Sequence, residues 1–441
     1  TTRRSHSNER PRPARRTPRR AMFHETTART RAPMNDVKTA TLRARAMRSA
    51  RRAAGTPTRP CLARRVAAAA ASSAAAAAAQ QAPGKLRELR PAIKHKREGR
   101  VQTENGAVTY YREYGNPSGA PVLVVHGGPG AGCFPNHARF FDPEFYRIVL
   151  ADQRGCGLSR PRAQEGNLRH NNLDALVDDF ETLRKHLDID RWMLFGGSFG
   201  TTLSLAYASS HPSRVWAMVL RGVCLLRKEE LDWLYRDGTH GGGAGALFPQ
   251  NWLKFVSQLP PDMRDDPVAG YRNMLSGAYG QAARDAAAGA WLAWGMAVGG
   301  GLPGVDSGVL RFDKKQMQDA ARDARVVPAR SASAASTAVS GEVPSYVAQA
   351  TLENWYVACD GFVRDHPLLD RITDQMREEI PVIAIHGRND FVCPVRNAYS
   401  LAEAWPESDV RVIAGAAHSM YDPAIRNELL EATDEMTKYF K

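Results

Sequence analysis

From about residue 98 onward the chain is built of short apolar runs separated by polar, glycine-containing stretches. Residues 108–114 alternate weakly and predict a strand. Runs at 121–125, 146–151, 192–195, 215–220, 381–386 and 410–413 predict six more. Between them lie segments of helical period. Leu173, Leu176, Val177, Phe180, Leu183 and Leu187 fall on one face, and 201–209 and 423–440 also predict helices. Short apolar strands alternating with helices predict an α/β architecture, with a mostly parallel sheet covered on both faces. Functional groups in such folds sit in loops beyond the carboxyl ends of the strands.

The alternation stops between about 224 and 375. That interval is rich in Trp and Tyr (Trp233, Tyr235, Trp252, Tyr271, Trp291, Trp294, Trp355, Tyr356) with helical stretches, and predicts a helical cap inserted over the sheet. Within it, 240–246 and 298–345 are rich in Gly, Ala and Ser and predict loop insertions with little core of their own. The core is then 98–223 and 376–441, and residues 1–97 form a basic Ala/Arg-rich tail.

Charge sharpens that division. The net charge is +14, yet residues 1–80 hold 19 Lys and Arg against 3 Asp and Glu, while the other 361 residues hold 41 against 43. Such a tail buries too little apolar surface to offset its ordering entropy and predicts disorder. Its acid-poor, Arg- and Ser-rich composition fits an organelle-targeting peptide for a chloroplast or mitochondrion. A nucleic-acid tail is the other reading, but Phe23 alone among the arginines offers little for base stacking, so no nucleic-acid partner is expected. Met22, Met34 and Met47 stand as alternative starts. The Ala run at 67–79 is too short and small-sided for a membrane span. Six scattered cysteines form no C-x-x-C pair, which predicts reduced thiols in an intracellular protein, cytoplasmic if the tail is not a targeting signal.

The chemistry concentrates at Gly196-Gly197-Ser198-Phe199-Gly200, between a predicted strand and a predicted helix. A serine flanked by glycines at such a turn is a nucleophile elbow. Its hydroxyl needs a base and a group to orient that base. Downstream, 381–386 runs into Asp390 and 410–413 runs into His418, so an acid and an imidazole follow in order after consecutive strands. Ser198 is the expected nucleophile, His418 the base and Asp390 its orienting carboxylate. The N–H groups of Phe199 and Gly128, in the loop His126-Gly127-Gly128-Pro129-Gly130, are the expected oxyanion donors. His126, His386, His211 and His137 read as structural.

These segments resemble the prolyl aminopeptidase (proline iminopeptidase) branch of the α/β-hydrolases. The resemblance rests on the His126–Gly130 loop, 152–159, 196–203, Leu220-Arg221-Gly222, 230–233, Leu352-Glu353-Asn354, and 386–390 followed by Cys393-Pro394. It implies an α/β-hydrolase fold with a helical cap, release of an N-terminal residue, preferably proline, from peptides with a free amino terminus, and no metal or organic cofactor. It supports the triad and implies two cap glutamates holding the substrate ammonium. One matches Glu353. The other should follow a Trp-x-x-Trp pair, but here that stretch is Trp291-Leu292-Ala293-Trp294-Gly295. Asp306 and Asp313 are acids in the adjacent insertion. Phe199 replaces the family's common Trp. Cys393 is either a thiol near the site that sensitises activity to thiol reagents or a buried inert one. The leading expectation is a serine exopeptidase. The missing acid keeps open a hydrolase of other small esters or amides, and a non-catalytic receptor on the same fold is a third reading. A serine at the elbow disfavours epoxide hydrolysis. The oligomeric state is not legible.

Overall fold

All seven expected strands are present, and one more precedes them. The computed structural model describes residues 86–300 and 346–440. Among these, the strands are β1 (Arg97–Gln102), β2 (Val108–Gly115), β3 (Ala120–Val125), β4 (Tyr146–Asp152), β5 (Trp192–Gly197), β6 (Val215–Arg221), β7 (Val382–Gly387) and β8 (Asp409–Ile413). They form one sheet in the order β1-β2-β4-β3-β5-β6-β7-β8. β1 and β2 pair antiparallel with their neighbours, and β4 through β8 run parallel. The order reverses between β3 and β5, which makes a crevice beyond their carboxyl ends.

The helices are α1 (Leu173–His186), α2 (Phe199–Ser210), α3 (Lys228–Tyr235), α4 (Gly243–Leu247), α5 (Pro249–Ser257), α6 (Pro267–Leu275), α7 (Gln281–Gly299), α8 (Tyr346–Ala358), α9 (Asp374–Glu379), α10 (Arg396–Ala404) and α11 (Pro423–Met436). Side-chain alternation divides the core. Leu123, Val125, Val149, Ala151 and Leu194 face α1 and α2, in a cluster that continues into the cap. Val122, Val124, Ile148, Leu150 and Phe195 face the other way, against Leu429, Leu430 and Met436 of α11. Among the described residues no helix is long and apolar enough to cross a membrane.

The cap helices α3 to α8 are held by aromatic packing. Tyr235 stacks on Trp291 with ring centroids 4.5 Å apart, Phe255 stacks on Tyr271 at the same distance, and Trp252 meets Trp294 edge-on. Their polar tips are satisfied: Trp294 Nε1 donates to the Leu234 carbonyl and the Tyr271 hydroxyl to that of Phe255. Trp355 Nε1 and the Tyr356 hydroxyl both donate to Asn171, and Trp233 Nε1 donates to the Phe391 carbonyl, so the cap is bolted to the loops of the core.

Four expectations need correction. The fold begins before residue 98, because Leu89 and Ile93 pack on the α11 side of the core. β1 escaped notice because it is an edge strand with one buried side chain, Val101, and so carries no apolar alternation. The glycine-rich stretch at 240–246 is no coreless loop: α4 runs through it, Ala244 is fully buried, and a Cβ at Gly245 would lie 3.1 Å from the Trp252 ring. The second insertion does not begin at 298, because α7 continues to Gly299 with Val298 buried. Its remainder, with Asp306 and Asp313, lies outside the described residues, as does the basic tail up to residue 85.

The tightest approach of backbone to a glycine among the described residues is between α2 and the end of β3. A Cβ on Gly200 would stand 2.0 Å from the Val125 carbonyl oxygen. Gly200→Ala must push backbone from backbone, and is expected to lower the unfolding free energy by about 2 kcal/mol or more. Urea unfolding of the two proteins measures this, and a loss below about 0.5 kcal/mol would show that the joint has slack.

Candidate active site

Ser198 occupies the turn from β5 to α2 with φ 57° and ψ −127°, a conformation that non-glycine residues rarely adopt. Its N–H donates to the Arg221 carbonyl at 2.8 Å, tying the elbow to β6. The loop after β3 lies alongside: a Cβ at Gly127 would be 3.1 Å from Ser198 Cβ and 3.7 Å from its Oγ. His126 anchors that loop from below. Buried, it accepts from the Gln153 N–H through Nε2 at 3.0 Å, while Gln153 Nε2 donates to its carbonyl at 2.8 Å. Burial lowers its pKa, as fits a neutral structural imidazole. The N–H of Gly128 has no acceptor among the described residues, and that of Phe199, the first residue of α2, precedes the helical ladder.

Asp390 and His418 meet. His418 Nδ1 donates to Asp390 Oδ2 at 2.7 Å, and Asp390 Oδ1 accepts from the N–H groups of Val392 and Cys393 at 3.0 and 2.8 Å. Burial works to raise the Asp390 carboxyl, but His418, His386 and the Cys393 N–H together hold it below the ordinary aspartate value. It stays ionised, so Nδ1 keeps its proton and the lone pair of His418 lies on Nε2. His386 supports the acid loop from inside the core: Nδ1 accepts from the Val223 N–H and Nε2 donates to the Cys393 carbonyl. Cys393 is at the site but buried, and contact with Cys224, with burial, drives its thiol far from ionisation, as fits the inert reading.

Ser198 and His418 line one cavity of about 720 Å³, with Gly128 and Glu353 also in its wall. In this state His418 Nε2 faces Arg221 Nη1 at 3.2 Å rather than the serine hydroxyl. Glu353, on α8, accepts from Trp291 Nε1 at 3.0 Å and from Gln349 Nε2 at 2.8 Å. Burial pushes its carboxyl up to about 7, against the pull of those two hydrogen bonds. Gly295 lies in the same wall, and a Cβ there would meet nothing within 4 Å. The arrangement thus offers a hydroxyl, an oriented imidazole, free N–H donors and a buried carboxylate around one cavity.

Residues 120–258 match the family model described as the alpha/beta hydrolase fold. Over 352 residues the chain is 37% identical to a probable proline iminopeptidase of Leptolyngbya boryana, covering 79% of this chain and 97% of that one. It is 38% identical over 352 residues to the proline iminopeptidase of Xylella fastidiosa strain Temecula1, covering 79% and 99%. With the proline iminopeptidase of Arabidopsis thaliana it shares 38% over 339 residues, 77% and 79% of the two chains. The chain belongs to the proline iminopeptidase family.

As a member of the proline iminopeptidase family the chain has a site that was only partly legible in its sequence. Ser198, Asp390, His418, Gly128, Phe199 and Glu353 all lie at or beside the cavity. Gln349 and Trp291, which hold Glu353, were missed as site residues, although Gln349 stands one helical turn before Glu353. Arg221 was quoted only as part of a motif, because nothing in a strand's sequence says that its last side chain turns toward a catalytic imidazole.

The raised pKa of Glu353 has a consequence for stability. Between 4.5, its ordinary value, and about 7, the folded chain holds a proton that the unfolded chain has released. Stability therefore falls as pH rises through that window. Glu353→Gln removes the titrating group while Gln349 can turn its amide to pair with the new one. The variant is expected to melt within a degree of the parent at about pH 5 but about 2 °C or more above it at about pH 8. Differential scanning calorimetry checks this, and equal shifts at both values would contradict the assignment.

Proposed function

We propose that the protein is a serine exopeptidase that releases an N-terminal proline, or a similar small residue, from peptides through an acyl-enzyme. The observation that carries the reading is the shared cavity: an elbow serine and an Asp-bound imidazole open onto the same space as a buried carboxylate on the cap. The names of the three relatives, two proline iminopeptidases and one probable one, support it.

Ser198 Oγ attacks the carbonyl carbon of the first residue. As substrate enters, His418 Nε2 exchanges its Arg221 contact for the serine hydroxyl and takes the proton, and Asp390 stabilises the resulting cation. The N–H groups of Phe199 and Gly128 hold the oxyanion. His418 then gives its proton to the departing amine, and water repeats the sequence on the prolyl ester. Glu353 pairs with the substrate ammonium, whose burial without a partner would be costly. It also closes the pocket beyond the first residue, which makes the cleavage exo-acting. Residues 1–80 are read as an organelle address on their composition.

One observation favours a second reading. Among the described residues the space at Gly295 leaves Glu353 without a companion acid in the cavity wall, which suits other small esters and amides as substrates.

Two outcomes are expected. Proline anilide is hydrolysed by the protein and not by Ser198→Ala, and Asp390→Asn lowers kcat by about 10⁴-fold through the wrong imidazole tautomer. The ratio of kcat/KM for proline anilide to that for N-acetylproline anilide rises with pH through about 7, because only the ionised Glu353 pairs with the ammonium. Taking the ratio cancels the titration of the catalytic base. Equal cleavage of the two anilides at every pH would replace the exopeptidase with the second reading.

A further inference from the structure

Arg221, half-buried in the cavity wall, differs from the buried arginines. Arg154 and Arg184 each fork onto a carboxylate, Asp179 and Glu181, at 2.6 Å. Arg221 has no such partner among the described residues. Its Nη1 donates to the His418 carbonyl at 2.8 Å and meets His418 Nε2, while its Nε is buried with nothing to bond. The carboxylate whose charge acts on it, Asp390, already serves His418, Val392 and Cys393. Burial accordingly pulls the guanidinium below its ordinary value. A cation held without a counter-charge is expensive, and a cavity that holds one is suited to an anion.

The position defines which anion. Glu353 stands on the cap side of the cavity, on α8. Arg221 ends β6, on the sheet side of the same cavity, whose wall also holds Phe195, Val124 and a His137 kept neutral, its pKa pushed down to about 3 by burial, His126 and Arg221. The departing nitrogen takes its proton from His418 Nε2, so it lies about 3 Å from that atom. Before substrate enters, Arg221 Nη1 is 3.2 Å from the same atom, and the turn of His418 to Ser198 frees it beside the leaving-group position. In a leaving group of one residue the carboxylate carbon is only two bonds, about 2.5 Å, beyond that nitrogen. Each further residue would carry the carboxylate about 3.5 Å farther away.

We propose that Arg221 is the specificity-determining residue of the leaving-group side, binding the terminal carboxylate of a one-residue leaving group, so that dipeptides with a free carboxyl end are the preferred substrates. This rests on the exopeptidase reading. Glu353 and Arg221 then read the two ends of the same short zwitterion, one charge each, with Ser198 between them.

The test compares kcat/KM for Pro-Leu, Pro-Leu-amide and Pro-Leu-Gly in the parent, Arg221→Lys and Arg221→Gln. The parent is expected to prefer Pro-Leu over both others by about 10-fold or more. Arg221→Gln should bring the ratio near one, with Arg221→Lys between. A merely structural arginine would lower all three substrates together and leave the ratio unchanged, which would overturn the proposal. Should Arg221→Gln fail to fold, the parent alone decides. Free leucine should inhibit proline anilide hydrolysis competitively, at least about 10-fold more strongly than leucinamide, and equal inhibition overturns the proposal. If no proline substrate is cleaved at all, the exopeptidase reading fails and takes this assignment with it. If they are cleaved without preference for the carboxylate, only the Arg221 assignment fails.

Discussion

The close approach of α2 to the end of β3 is the constraint on which the rest depends. With the Val125 carbonyl 2.0 Å from where a Gly200 side chain would begin, the helix can start only if the chain turns sharply at the residue before it. That turn puts Ser198 at φ 57° and lifts its hydroxyl out of the sheet at the point where strand order reverses. The strain persists because both flanks are over-determined, by the parallel ladder of β3, β5 and β6 and by the buried face of α2. Everything chemical is arranged around that one oxygen: the loop after β3 beside it, His418 across from it, the cap above.

The second organising fact is how the cavity distributes charge. Asp390 is buried and fully satisfied, so it stays ionised and orients His418 without competing for substrate. Glu353 is held by two neutral donors and sits at the edge of ionisation. Arg221 is under-satisfied. In the proposed reading one complete ion pair positions the imidazole, while Glu353 and Arg221, whose charges are incomplete among the described residues, hold the substrate. In a low-dielectric space, incomplete charges are where binding energy and selectivity are found. A zwitterion completes both.

The sequence disclosed those parts that have a local signature. Apolar runs marked the parallel strands because these are covered on both faces, and the serine, the acid and the imidazole were noticed because each follows a strand end. β1 was invisible, since an edge strand such as Arg97–Gln102 needs only one apolar side chain. The glycines at 241–245 suggested a loop because composition does not reveal that Trp252 closes over Gly245. The partnership of Trp291, Gln349 and Glu353 joins two cap helices far apart in sequence, and the turn of Arg221 toward His418 depends on strand parity and on a loop almost 200 residues away. Contacts of that kind are written in the fold and not in any window of letters.

The central claim is that Ser198 carries the acyl group of the first residue between two half-reactions. Acid-quenching the protein during turnover of a proline ester, followed by mass analysis of its proteolytic fragments, reads this directly. The account predicts one prolyl group on the fragment containing Ser198, absent from Ser198→Ala and lost when turnover is allowed to finish. A prolyl group on another side chain, or steady turnover with Ser198 never modified, would contradict it.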